Sequence, residues 1–437
     1  MAHVAVVAPP LPGHFNPLLI LAGKLAESGH RVTFVNQADA AGMLGGSAFG
    51  FEAVGLDSHP RGSLPARVER MARLNGPLGM RRMIRDVAEF TDLLCRELPG
   101  VLQRIGADLV ISDQMEAAGG LVAEHLGLPF VSVATALPIN REPGLPPPYL
   151  GWRYDSSERG IRRNLGGWRV TDWLMRPVGE VIDRHARAFG LGPRRLAEDC
   201  LSPRLQIAQA VASLDFPRRA LPANFQYLGP FRSEDEAEAP PLPGEDGRPL
   251  AFCSLGTLQG SRKAIFRRVA GACDTLGLQL VIAHGGRLSA AEGGRLPGKP
   301  LVFDFVPQRA LLNRCAVAIS HCGFNTVLDA LSFGVPILAL PLAFEQPATA
   351  ARLAHAGAGR VLPSWAGERR IRRGIAALIE DESHAEAAGL IATDIRHSGG
   401  VEEAARLIGS MLAPKGDATR AGSARDDARD DSRNGSS

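Results

Sequence analysis

Short runs of consecutive apolar residues alternate with stretches in which apolar positions recur every three or four residues, and the alternation continues along most of the chain. The first unit shows the pattern. Val4 to Ala8 is a continuous apolar run that reads as a buried strand, "PPLPGHFNP" is a breaker-rich loop, and Asn16-Pro17 offers an N-cap followed by a first-turn proline, so a helix is expected to begin there. Leu18, Leu21, Ala22 and Leu25 hold helical spacing up to Gly29, and "RVTFV" resumes as strand. The same alternation returns at "ADLVISD", "EAAGGLVAEHLG" and "LPFVSVAT". Apolar strands separated by helices imply parallel βαβ winding. From Pro230 to Pro249 the chain turns to Pro and acid without periodicity, after which "LAFCSLG", "LQLVIAHGG", "LVFDFVPQ", "AVAIS" and "VPILALPL" start a second alternating series. The expected fold class is α/β, with two doubly wound domains facing a cleft.

Composition narrows the partners. The chain has 437 residues, 45% apolar and 22% charged, which suits two domains of about 200 residues each. Its formal charge of +3 comes from 49 basic and 46 acidic residues, so no strong field draws nucleic acid or an anionic membrane from a distance, and nucleic acid is not expected as a partner. The six cysteines lack metal-type pair spacing and suit reduced thiols in a cytosolic protein. "MAHVAVVAPP" enters a strand-like run without a basic leader, and the longest apolar run is too short to span a bilayer. The expected location is cytoplasmic, with peripheral contact on the inner membrane face left open. The expected division is 1–232 and 250–397 for the two domains, 233–249 for the linker, 398–413 for a C-terminal helix that could pack across either domain, and 414–437 for a disordered, net-neutral tail.

Against this background the stretch "SHCGFNTVLDALSFGVPILALPLAFEQ", Ser320 to Gln346, is unusually polar at its turning points. "HCGFNT" lies between a strand and a helix running from about Asn325 to Phe333, at the carboxyl edge of a parallel sheet. Free helix N–H groups and the helix dipole favour a phosphate there. His321, Asn325 and Thr326 could donate to a diphosphate, with Gly323 in the turn; the bland alternative is that Asn325 or Thr326 simply caps the helix. A second such turn, Ser254 to Thr257, follows the first strand of this domain, where Gly256 lets the backbone approach an anion. Asp329 lies one turn beyond Asn325 and could accept from ribose hydroxyls, unless it is an exposed helix acid. Glu345 and Gln346 suit sugar hydroxyls, and Phe305 with Gln308 suits a base. No D-x-D occurs, so no metal site of that type is expected, and the first loop lacks a dinucleotide-binding glycine pattern.

The ordered set Phe305-x-Pro307-Gln308, His321-x-Gly323-x-Asn325-Thr326-x-x-Asp329, Gly334-Val335-Pro336 and Glu345-Gln346 resembles the signature of UDP-sugar glycosyltransferases of the GT-B fold, which has two Rossmann-like domains. The resemblance implies uracil stacking on Phe305, base or ribose contact by Gln308, ribose binding by Asp329, diphosphate binding by His321, Asn325 and Thr326, and hexose contact by Glu345 and Gln346. Many relatives carry Trp, Ser and Glu where this chain has Phe305, Thr326 and Asp329. "PGHFNP" matches the position of the catalytic base, His14, and "ISDQ" its partner carboxylate, Asp113. The resemblance implies no cofactor beyond UDP-glucose as donor substrate. Within the family, "DQMEAAGGLVAEHLGLPFVSVATALPINREPGLPPP" and "LDFPRRALPANFQYLGPFR" look most like bacterial zeaxanthin glucosyltransferases, which implies a hydrophobic hydroxylated acceptor. A macrolide, flavonoid or lipid alcohol is the alternative acceptor, and a non-catalytic nucleotide-sugar-binding helper the alternative class. Trp152 to Arg176, with three of the four tryptophans, reads either as a cover for the core or as an acceptor-side lid touching a membrane or apolar substrate.

Overall fold

A computed structural model of the chain describes residues 1–72, 76–233, 242–256 and 262–412. Thr257 and the tail from 414 lie outside the described residues, as do 234–241 of the expected linker. The first sheet is wholly parallel and holds β1 (His3–Val7), β2 (Arg31–Gln37), β3 (Gly50–Val54), β4 (Leu109–Asp113), β5 (Phe130–Ala134), β6 (Gln206–Ala208) and β7 (Phe225–Tyr227), in the spatial order β3-β2-β1-β4-β5-β6-β7. Every residue of β1, β4 and β5 is buried, as expected where helices cover both faces. Those helices are α1 (Pro12–Glu27), α2 (Ser63–Ala72), α3 (Gly76–Ile105), α4 (Ala117–His125) and α5 (Glu158–Ala188).

The second sheet is also parallel, with β8 (Leu250–Ser254), β9 (Gln279–Ala283), β10 (Leu301–Phe303), β11 (Cys315–Ser320), β12 (Ile337–Ala339) and β13 (Gly359–Val361) in the order β10-β9-β8-β11-β12-β13. Around it lie α6 (Lys263–Thr275), α7 (Ala290–Gly293), α8 (Gln308–Leu312), α9 (Phe324–Ser332), α10 (Gln346–His355), α11 (Glu368–Glu380) and α12 (Ser383–His397). In each sheet the winding reverses direction once, between β1 and β4 and between β8 and β11. Open α/β sheets bind ligands in the crevice outside the strand ends at that reversal.

Two elements depart from the sequence reading or decide what it left open. The helix after β1 does not wait for Asn16-Pro17: α1 starts at Pro12, with Leu11 extended before it. Pro12 stands at the first helical position, where its fixed φ helps and its missing N–H is no loss, so the "PGHFNP" segment is helix and His14 lies in the first turn. The late helix α13 (Gly400–Leu412) returns to the first domain. Its Val401, Ala404 and Ile408 pack with Leu18, Leu21 and Leu25 of α1, and Glu402 pairs with Lys24 at 2.7 Å.

The domains are joined by buried charge as well as apolar contact. Arg352 of α10 is 2% exposed, donates from Nε to Asp215 Oδ1 at 2.6 Å and lies 4.4 Å from the ring centre of Phe216. Asp215 also accepts from Arg218 Nε and the Tyr227 hydroxyl, each at 2.8 Å.

Candidate active site

His14 and Asp113 come together at the reversal of the first sheet, because α1 follows β1 and Asp113 ends β4, its neighbour. His14 Nδ1 lies 3.0 Å from Asp113 Oδ2, and the acid is fully buried. A third group joins them: Thr135 Oγ1 donates to Asp113 Oδ2 at 2.5 Å and lies 2.8 Å from His14 Nδ1. The Thr135 proton goes to the carboxylate, so both neighbours of Nδ1 present acceptors and Nδ1 carries the imidazole proton. Nε2 is then the unprotonated edge of the ring. Burial opposes charging of His14, but the charge and hydrogen bond of Asp113, helped by Glu345, outweigh it and raise the pKa above the ordinary histidine value. Asp113 Oδ1 is held by the Met115 N–H at 2.8 Å.

The opposite wall is the reversal of the second sheet. Ser254 and Ser320 are register partners at the ends of β8 and β11, and each is followed by a glycine-containing turn. Ser254 Oγ accepts from the Gly256 N–H at 3.2 Å. The His321 ring lies between the two turns. A Cβ on Gly256 would fall 2.7 Å from His321 Nε2, and one on Gly323 would fall 2.5 Å from it, so both positions require glycine. Gly256 also has φ +72°, in the left-handed region. Burial pushes the His321 pKa down to about 4, so the ring is a neutral donor near pH 7. Its Nδ1 makes no hydrogen bond among the described residues, although the Ser254 backbone is close. Helix α9 begins at Phe324, capped by Gly323 with no side-chain cap. The capping role offered for Asn325 or Thr326 is therefore not the one they play. Asn325 Nδ2 crosses the cleft to donate to the carbonyl of Gly13 at 2.8 Å, and Thr326 is half-buried in the first turn.

Comparison with known proteins decides the class. The chain is 41% identical to the zeaxanthin glucosyltransferase of Pantoea ananas over 94% of its own length and 96% of that protein, and 42% identical to the one from Pseudescherichia vulneris over 94% and 98%. It belongs to this glycosyltransferase family. Residues 276–408 also match the C-terminal domain of the erythromycin biosynthesis protein CIII-like family. The crystal structure of CalG4, the calicheamicin glycosyltransferase, superposes with a TM-score of 0.74 over 95% of this chain and 100% of that one at 22% identity, a likeness of GT-B fold.

In this glycosyltransferase Asp329 and Gln308 join the residues of the cleft through Arg232, and Glu345 lies near His14. Asp329 is buried at 7% exposure, not an exposed helix acid; Gln308 Nε2 donates to its Oδ2 at 2.7 Å, and Arg232 Nε to its Oδ1 at 2.7 Å. Phe305 is 71% exposed, an open aromatic face. Glu345 precedes α10 directly, and its pKa is raised by burial, partly countered by His14. Gln346 Oε1 accepts from the N–H groups of Leu342 and Ala343, both at 2.9 Å. Sequence reasoning missed Thr135, Gln209 and Arg232. Gln209 is fully buried, and its Nε2 donates to the Thr135 carbonyl at 2.5 Å and to Asn325 Oδ1 at 3.0 Å. Thr135 could have been found from its place just past β5, one strand over from Asp113; the other two carry no local signal.

Proposed function

We propose that the enzyme transfers glucose from UDP-glucose to a hydroxyl of an apolar acceptor, with zeaxanthin as the acceptor that its relatives support, and inverts the anomeric centre. The observation that carries this reading is the His14–Asp113–Thr135 cluster, with its Nε2 edge unprotonated, set across the cleft from the glycine-lined turn of His321. His14 removes the acceptor proton as the oxygen attacks the anomeric carbon, and Asp113 orients and stabilises the imidazolium. The bond to UDP breaks in the same displacement, so an α-linked donor gives a β-glucoside. Developing charge on UDP is met by the α9 N-terminus and by His321 as a neutral donor. A binding helper would have no need of a base held in one tautomer.

The experiment is turnover of UDP-glucose with detergent-dispersed zeaxanthin by wild type and His14→Ala, with products followed by mass and UDP binding measured on the same samples. Loss of a positioned base is expected to cost about 10²–10⁴-fold in rate with UDP affinity near wild type, because base and nucleotide sit on different domains. An active His14→Ala would remove the assignment. Turnover of a macrolide or flavonoid alcohol with none on zeaxanthin would move the acceptor and leave the transferase in place.

The segment read as a cover or a lid divides between the two roles. Trp168 is buried and its Nε1 donates to the Leu145 carbonyl at 3.0 Å, whereas Leu165, Val170 and Trp173 are exposed at 42%, 57% and 62% on one face of α5 with Arg162, Arg169 and Arg176. Helix α5 has 31 residues, about 45 Å, far longer than the five-residue strands of the sheet it packs on. That face supports contact with a membrane holding the acceptor. Among the described residues no helix is long and apolar enough to cross a membrane. Co-sedimentation with phosphatidylglycerol vesicles, lost in Trp173→Ser, is the expected result; no sedimentation by wild type would end this reading.

A further inference from the structure

Arg232 lies where the chain leaves the first domain, and its guanidinium reaches into the second. Its Nε donates to Asp329 Oδ1 at 2.7 Å, its Nη2 to Asn325 Oδ1 at 3.1 Å and its Nη1 to the Phe231 carbonyl at 2.8 Å, with Gln209 Oε1 further off at 3.4 Å. Arg309 Nη1 approaches the same Asp329 oxygen only to 3.6 Å. Among the described residues Arg232 is thus the cation nearest the acid, and it comes from the other side of the cleft. A carboxylate offers about four acceptor directions, so the bonds from Arg232 and Gln308 leave room on both oxygens for hydroxyl groups. A ribose need not expel Arg232 to bind. Without the guanidinium, Asp329 would stand as a further negative charge beside a diphosphate, and its carboxylate plane would be held on one oxygen only.

The network continues past Asp329. Gln209 bonds to both Asn325 and the Thr135 carbonyl, Thr135 bonds to Asp113, and Asn325 bonds to the Gly13 carbonyl next to His14. One polar chain therefore runs from the acid of the second domain to the base of the first.

We propose that Arg232 is a positioning residue of the nucleotide site: it neutralises Asp329 and aims it at the ribose 2′- and 3′-hydroxyls, so that the first domain completes the donor pocket of the second. The inference rests on reading Asp329 as the ribose acceptor.

The test compares UDP with 2′-deoxy-UDP, which differ by one hydroxyl, by calorimetric titration of wild type, Arg232→Met, Arg232→Lys and Asp329→Asn, with folding checked by circular dichroism. Wild type is expected to prefer UDP. Arg232→Met is expected to lose about tenfold or more in UDP affinity, as for truncation of one member of a buried charge pair, and to bind both nucleotides alike. Arg232→Lys restores charge but not the fork, so it should recover part of the affinity without the preference. Arg232→Met with unchanged or tighter UDP binding would overturn the proposal, and so would weaker binding with the preference intact, which is what a merely structural role gives. If Arg232→Met fails to fold, Arg232→Lys decides on the preference alone. Wild type that binds no UDP would defeat the donor reading itself, and wild type without a preference would defeat the ribose role of Asp329, each recognisable before any variant is compared.

Discussion

A histidine can act as a base only if the proton it already carries is held on the nitrogen turned away from the reaction. In His14 that condition is met by two acceptors around Nδ1, the Asp113 carboxylate and the Thr135 hydroxyl. The same carboxylate raises the His14 pKa, so the base form is gained as pH rises through a value above 6.5. Asp113→Asn removes the charge that raises it. The acid limb of the pH–rate profile is therefore expected to move to lower pH while the plateau falls about 10²–10⁴-fold, and initial rates across pH 5 to 9 check both at once. A limb that stays in place would mean that Asp113 does not set the ionisation of His14. At this scale the sequence was informative where chemistry and position coincide: His14 follows the first strand and Asp113 ends another of the same sheet. Thr135 was passed over because a threonine at a strand end resembles any strand residue until its strand is set beside that of Asp113, and Gln209 was hidden because its partner Asn325 is 116 positions away.

Among elements, the turns after β8 and β11 and the first turn of α1 bear on the site most directly. Pro17 lies inside α1 and has no N–H, so the carbonyl four residues back, that of Gly13, lacks its helical donor. Asn325 supplies one from the opposite domain at 2.8 Å. A proline that read as the start of a helix thus frees a helix carbonyl for the other domain, which no periodicity could show. The glycine pattern of "HCGFNT" was legible as a turn that approaches an anion, but the object the glycines must clear is the His321 ring. Gly323 has an ordinary φ of −59°, so the conflict for an added methyl there is steric, with the imidazole nearest at 2.5 Å. Gly323→Ala is expected to displace the ring and weaken UDP binding by about tenfold or more, comparable to losing one charge-assisted contact, while the melting temperature changes little. Calorimetry and thermal denaturation separate these outcomes. Unchanged UDP affinity would show that the position of His321 is not critical for the diphosphate.

Across the whole molecule, two doubly wound sheets bring their reversal points face to face, and the alternating pattern of the chain foretold the sheets without foretelling what clamps them together. The clamp is Asp215 with Arg352, Arg218 and Tyr227, which periodicity does not single out: Asp215 and Arg218 lie between short elements, Arg352 in α10 and Tyr227 at the end of β7. Burial opposes the charge on Asp215, but the guanidinium groups of Arg352 and Arg218 outweigh it and lower its pKa from 3.8 to about 2. A carboxylate whose folded pKa is depressed contributes stability above its unfolded pKa and loses that contribution as pH falls through the folded value. Arg352→Met leaves Asp215 buried with one guanidinium fewer, and such truncation typically costs about 3–5 kcal/mol. At pH 7 the variant is therefore expected to melt well below wild type. Since protonation removes in wild type what the substitution removes from the variant, the gap should narrow as pH falls from 3.8 toward 2. Melting curves of both proteins between pH 7 and pH 2 read this directly. A gap that stays constant with pH would assign the loss to the packing of Arg352 on Phe216, at 4.4 Å, rather than to its charge.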